Sequence, residues 1–242
     1  MHRTTTFATV LTLVILFLAL VLQTAPRADM TVTQEVTVQT GEKRTVSGGT
    51  VYWTATKKRD YDSHGNLTIT DLDTKTMTVL DPNEKTYAVI TFDEMKEQEA
   101  SLPENLRPIR EAKLSVEETG EKRTLDGYPC ERLVLKVGPT AITVWVTKQI
   151  KVDPALVEFN TKFLELTKEV KMLNIQARMQ AAFSERNVYP YLTIIEMLLL
   201  KGDKQIVRSR AKEVSYEKID PSVFAIPEGY KEETPPEAPP EK

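Results

Sequence analysis

The chain has 242 residues, of which 28% are charged and 40% hydrophobic, with a formal net charge of −3. These proportions suit one large or two small water-soluble domains, and they exclude a disordered chain and a multi-span membrane protein. With 32 basic residues against 35 acidic ones, there is no surplus to neutralise phosphates, which argues against nucleic acid as a partner.

The first predicted element is an export segment. After Arg3 the run from Phe7 to Leu22 carries no charge, and Ala25-Pro26-Arg27-Ala28 follows it. A basic start, an apolar stretch and small residues beyond it are the layout of a secretory signal. The cleavage motif is imperfect, because Pro26 and Gln23 stand where small residues are preferred. Residues 1–28 are therefore expected to be either a removed signal peptide or an uncleaved anchor, and both place the body of the protein in the periplasm. Peripheral or anchored membrane contact follows. No cysteine lies behind the apolar run, so lipid modification there is excluded. The sole cysteine, Cys130, forms no internal disulfide and reads as a small buried hydrophobe.

From Thr31 the pattern changes to short alternating runs rich in Val, Thr, Ile and Tyr, which predict strands. They cover Thr31–Val38, Thr50–Lys58, Leu67–Asp71, Thr76–Leu80, Thr86–Thr91, Lys113–Glu118, Arg132–Val137 and Ala141–Thr147. Ser63-His64-Gly65-Asn66 and Asp81-Pro82-Asn83-Glu84 supply tight turns, and Gly48-Gly49 reads as another. The connections are too short for crossover helices, so neighbouring strands should pair antiparallel as a meander.

Two helices interrupt the strands. Asp93 through Ala100 is short and polar, and Pro103 follows it. The second begins with Asp153 as N-cap and Pro154 in the first turn. Its apolar residues Leu156, Phe159, Phe163, Leu166, Val170, Leu173 and Ala177 recur at spacings of three and four, drawing one stripe. A helix from Pro154 to about Gln180 is roughly 40 Å long, whereas a strand of six to eight residues spans about 20–27 Å. It must cross several strands, overhang the sheet, or break. Beyond it, Tyr191–Lys201 and Gln205–Tyr216 flank Gly202-Asp203 and read as a hairpin, with helix as the alternative for the first arm. The Pro- and Glu-rich residues 231–242 are expected to form a solvated tail, leaving one β-rich domain over 29–230.

Several phrases in order resemble a known family. Ile69-Thr70-Asp71-Leu72-Asp73 and then Val79-Leu80-Asp81-Pro82-Asn83-Glu84-Lys85-Thr86-Tyr87 resemble the repeated strand pairs of LolA-like exported proteins, in a branch of unknown function. Leu125-Asp126-Gly127-Tyr128-Pro129-Cys130-Glu131, Thr143-Val144-Trp145-Val146-Thr147 and Ile219 through Tyr230 continue the likeness. The resemblance implies an α+β fold, mostly antiparallel β. Its half-barrel sheet is strongly curved, with the long amphipathic helix and the short helix covering an apolar cavity. Relatives carry lipids or lipoprotein acyl chains across the periplasm, or sense envelope components.

Enzyme chemistry finds little support. His64 is the only imidazole beyond the export segment, it sits in a turn sequence, and no Gly-x-Ser-x-Gly elbow accompanies it. One His and one distant Cys do not make a transition-metal site; Asp71 and Asp73 lack a calcium loop. No cofactor is expected. The leading reading is a binding protein holding a lipid or lipoprotein acyl chain, with Leu156, Phe159, Phe163, Leu166, Val170, Leu173 and Trp145 lining a dry cavity. The alternative is a non-enzymatic envelope scaffold or sensor in which the stripe packs a solid core or an envelope protein partner. Trp53 and Trp145 alternate with threonines, and the sequence leaves open which face each occupies.

Overall fold

A computed structural model describes residues 29–61, 65–101, 112–138, 140–198 and 204–233. The expected export segment, His64, Pro103, the expected turn at Gly202-Asp203 and the end of the chain from residue 234 lie outside the described residues. In chain order the elements are β1 (Met30–Thr40), β2 (Lys43–Trp53), β3 (Lys57–Tyr61), β4 (Leu67–Asp71), β5 (Thr76–Asp81), β6 (Thr86–Thr91) and helix α1 (Phe92–Ala100). Then come β7 (Leu114–Leu125), β8 (Tyr128–Val137), β9 (Thr140–Thr147), helices α2 (Pro154–Leu166) and α3 (Lys171–Glu185), β10 (Tyr189–Leu198), β11 (Lys204–Ser215) and β12 (Lys231–Glu232). The strands form one open, curved sheet in the order β12-β6-β5-β4-β3-β2-β1-β11-β10-β9-β8-β7. Two antiparallel meanders are thus joined where β1 pairs with β11. The exception to antiparallel pairing is β12, which lies parallel to β6. Its two residues, assigned to the tail by composition, are tied down by Lys231 N–H donating to the Lys85 carbonyl.

Two repeated turns shape the first meander. Asp71 Oδ1 accepts from the Asp73 and Thr74 N–H groups, and Asp81 Oδ1 accepts from those of Asn83 and Glu84. In each turn the lysine four residues on, Lys75 or Lys85, takes a positive φ. Asp71 also receives Lys57 Nζ at 2.6 Å, so its carboxylate is committed to the turn and this ion pair.

The strand expected over Thr50–Lys58 is two strands. Thr54 Oγ1 accepts from Lys57 N–H at 2.9 Å, turning the chain, so that β2 and β3 pair through only Tyr52↔Arg59 and Trp53↔Lys58. Gly48 and Gly49 lie within β2, opposite Glu35 and Gln34, not in a turn. Alternation fails to reveal this half of β2 because its residues from Lys43 to Gly48 are all exposed. Likewise β7 and β8 reach further than expected and meet at Asp126-Gly127, where both residues have positive φ (48° and 88°), the backbone of a tight two-residue hairpin turn.

Asp126 also ties the second meander to β1. Its Oδ2 accepts from Tyr191 Oη at 2.5 Å and from Arg210 at 3.1 Å, and Arg210 also holds Glu35 at 2.7 Å. The Tyr191 hydroxyl first, and Arg210 after it, hold the Asp126 carboxyl below its ordinary range; Arg210 does the same for Glu35. A depressed carboxylate contributes stability above the unfolded pKa of about 4, and that stability fades as pH falls toward the folded value. Thermal unfolding of the protein and of Asp126→Asn is therefore expected to differ at neutral pH and to converge as the pH is lowered below about 4. Asn tolerates the positive φ, so a constant difference across pH would refute the role given to the charge.

The long helix breaks. α2 starts as expected, with Asp153 Oδ1 accepting from Ala155 N–H at 2.7 Å and Pro154 in the first turn. It stops at Thr167, whose hydroxyl donates back to the Phe163 carbonyl at 2.7 Å. Val170 occupies the N-cap of α3 without a side-chain cap of its own. The cap comes from α1, where the buried Glu99 carboxylate accepts from Lys171 N–H at 2.7 Å and Met172 N–H at 3.2 Å. α3 then turns back alongside α2, so that Asn160 Nδ2 in the middle of α2 donates to Ser184 Oγ in the last turn of α3 at 2.9 Å. Two helices of roughly 20 Å each match the strand lengths that a single one would have overrun. Glu99→Ala removes this cap and is expected to cost about 1–2 kcal/mol, measured by denaturant unfolding; an unchanged midpoint would show that α3 starts without it. α1 carries its own capping box, with Thr91 Oγ1 accepting from Glu94 N–H and Glu94 Oε2 from Thr91 N–H.

Candidate functional site

Strand alternation puts matched residues on the helix-covered face of the sheet. Lys58 and Asp60 of β3 stand opposite Thr70 and Thr68 of β4, and Ile142 and Val144 of β9 stand opposite Ile195 and Thr193 of β10. Leu156 of α2 and Met179 and Phe183 of α3 face them across a cavity of about 360 Å³. A second cavity, of about 220 Å³, adjoins it and shares Trp53, Lys58, Asp60, Tyr61 and Asn160 as walls.

The seven residues chosen from the sequence do not stay together. Leu156 lines the larger cavity, and Phe159 and Phe163 line the smaller. All three also pack into the main core with Met30, Val32 and Trp53. Leu166 borders a separate groove with Leu72, Asp73 and Thr161. Val170 and Leu173 pack at the start of α3 and line neither cavity, because the helix break turns that part of the stripe away. Trp145 also lines neither. Its strand neighbours Ile142, Val144 and Val146 cluster with Phe183, so alternation turns Trp145 to the other side, where the Arg123 guanidinium lies 5.1 Å from its ring centroid. Trp53 is the tryptophan that faces both cavities.

Nor is the lining wholly apolar. Lys58 and Asp60 form an ion pair in its wall, with side chains 11% and 24% exposed, and Lys58 Nζ lies 5.9 Å from the Trp53 ring centroid. Gln34 Oε1 accepts from Ser209 Oγ at 3.1 Å; the Gln34 side chain also hydrogen-bonds Tyr189, whose phenol is pushed well up by burial. From α3, Gln176, Gln180 and Ser184 line the cavity at four-residue intervals. That polar row, opposite an apolar stripe, is the readable sequence signal for these residues.

Tyr61 closes one wall by close approach to backbone. Its hydroxyl donates to the Gln34 carbonyl at 3.2 Å, and a Cβ added at Gly49 would lie 2.1 Å from its ring. Gly49→Ala is therefore expected to swing Tyr61 out of the wall and to cost about 1–3 kcal/mol. In a Tyr61→Ala background the same change should cost far less. Equal costs in the two backgrounds, measured by chemical unfolding, would show that the ring does not set the requirement for glycine.

Among the described residues, no three His, Cys, Asp or Glu side chains gather where they could hold a metal ion. Cys130 is free and buried, and desolvation pushes its thiol pKa up, the direction opposite to an activated nucleophile. No helix among the described residues is long and apolar enough to cross a membrane.

Residues 29–230 match the family model DUF4412, a domain of unknown function, and the chain belongs to that family. No curated protein matches it in sequence. Among solved structures it is similar to an uncharacterized conserved protein from Thermus thermophilus, at 11% identity and a TM-score of 0.44 over 87% of this chain and 92% of that one. It is also similar to PNGF-II, at 12% identity and a TM-score of 0.39 over 86% of this chain but only 32% of that one. A third is the LolA superfamily protein NE2245 from Nitrosomonas europaea, at 8% identity and a TM-score of 0.32 over 83% of this chain and 91% of that one. Likenesses this distant carry no functional argument, so function must be read from this chain's own cavity.

Proposed function

We propose that this protein is an exported, non-enzymatic binding protein of the periplasm. In this reading its sheet acts as a half-barrel, and α2 and α3 cover a site for a lipid or for an acyl chain of a lipoprotein. The single domain spans 29–230 and follows an export segment over 1–28. The observation that carries the reading is the cavity of about 360 Å³ between Ile142, Val144 and Ile195 on the sheet and Leu156, Met179 and Phe183 on the helices. Its size falls at the lower end of small-molecule sites, which suits one chain or part of one. Each methylene transferred there from water gains about 0.8 kcal/mol, so a modest chain supplies useful affinity without a charged anchor.

Extraction of the purified, exported protein with organic solvent, followed by mass spectrometry, tests this. The expected result is a co-purifying amphiphile, or uptake of an added one in equal molar amount. Protein that carries none and takes up none would overturn the proposal.

A further inference from the structure

Resting on that binding role, we infer that the cavity selects neutral amphiphiles whose polar group donates a hydrogen bond, and that Asn160 is the residue that reads it. Asn160 is 2% exposed and lines both cavities. Its amide orientation is set by a chain of hydrogen bonds. Ser184 Oγ donates to the Gln180 carbonyl at 3.3 Å and accepts from Asn160 Nδ2 at 2.9 Å. This leaves Oδ1 as an acceptor, and among the described residues it is a buried side-chain atom without a partner. A buried acceptor of this kind is costly to leave unpaired; Asn160 belongs to the wall of both cavities, so a small rotation of its side chain would offer Oδ1 to a donor that a ligand carries in.

Charge narrows the ligand further. Among the described residues, the only charged side chains lining the two cavities are Lys58 and Asp60, and they neutralise one another. An anionic head group would have to displace Asp60 or face it in a poorly solvated space, and a cation would meet the same conflict with Lys58. A hydroxyl or an amide N–H avoids both. The apolar remainder of the ligand then lies along Leu156, Val144 and Phe183.

The test compares three dodecyl probes on the full exported protein: 1-dodecanol, its methyl ether, which keeps an oxygen but has no donor, and dodecanoate. Binding is read as a change in tryptophan emission, since Trp53 of the two tryptophans lines both cavities. The alcohol is expected to bind about ten-fold tighter than the ether and tighter than the carboxylate. In Asn160→Leu the alcohol and the ether should bind within about two-fold of each other, with binding of the ether retained. Equal binding of alcohol and ether by the unaltered protein would overturn the inference and needs no variant to fold. Tightest binding by dodecanoate would overturn the neutral preference, and a preference for the alcohol that survives in Asn160→Leu would overturn the role of Asn160. Each of these outcomes leaves the binding role standing. If none of the three probes binds, the binding role itself fails.

Discussion

Replacing Phe159 by alanine is expected to lower stability by about 3–5 kcal/mol, with a fall in Tm on the order of 10 °C. Phe159 is the largest of the side chains that are fully buried. Its ring stacks on Phe163 at 5.7 Å between centroids, and Phe163 meets Phe92 of α1 at 6.3 Å. One aromatic run therefore links α2 to α1, the helix whose Glu99 caps α3. Truncation removes the end of that run beside an existing cavity, so the void has no neighbour ready to collapse into it. Leu166→Ala provides the contrast: it borders an open groove and should cost clearly less. Differential scanning calorimetry of the two variants decides the matter. Equal small losses would mean that Phe159 only lines a ligand space and does not hold the fold.

The apolar stripe led to Phe159 and Phe163 because helical periodicity is a local property. The same stripe misled at Val170, where α3 begins afresh and takes its cap from Glu99, seventy-odd positions upstream in sequence. Local spacing carries no trace of that contact. Strand positions such as Leu67–Asp71 and Thr86–Thr91 were legible from alternation, and the Asp153-Pro154 start from capping chemistry. The facing of Trp53 and Trp145 was not legible, because a one-residue register change exchanges the two faces. Polar cavity residues were hidden for another reason. Lys58, Asp60 and Asn160 look like ordinary surface residues until the sheet and the helices bring them to one space, where mutual pairing makes the burial of Lys58 and Asp60 tolerable and Asn160 is paired through its Nδ2 alone.

Thr193→Trp is expected to abolish ligand uptake while leaving the protein folded. Thr193 lies on β10 between Val144 and Ser209, and its side chain lines the larger cavity. An indole there extends into the space an acyl chain would use, and tryptophan is well suited to a strand. Filling that space removes the ligand's apolar contacts, worth about 0.8 kcal/mol per methylene, so losing only a few of them weakens binding by well over ten-fold. The cost to folding should be small, because the ring enters existing volume and does not force core side chains off their rotamers. Ile194→Trp is the matched control, since it adds the same ring one position along, on the opposite face of β10. Uptake should survive in the control and fail in Thr193→Trp at similar Tm. Uptake that persists in Thr193→Trp would place the ligand outside this cavity, and loss in both variants would trace the defect to the strand and not to the volume it encloses.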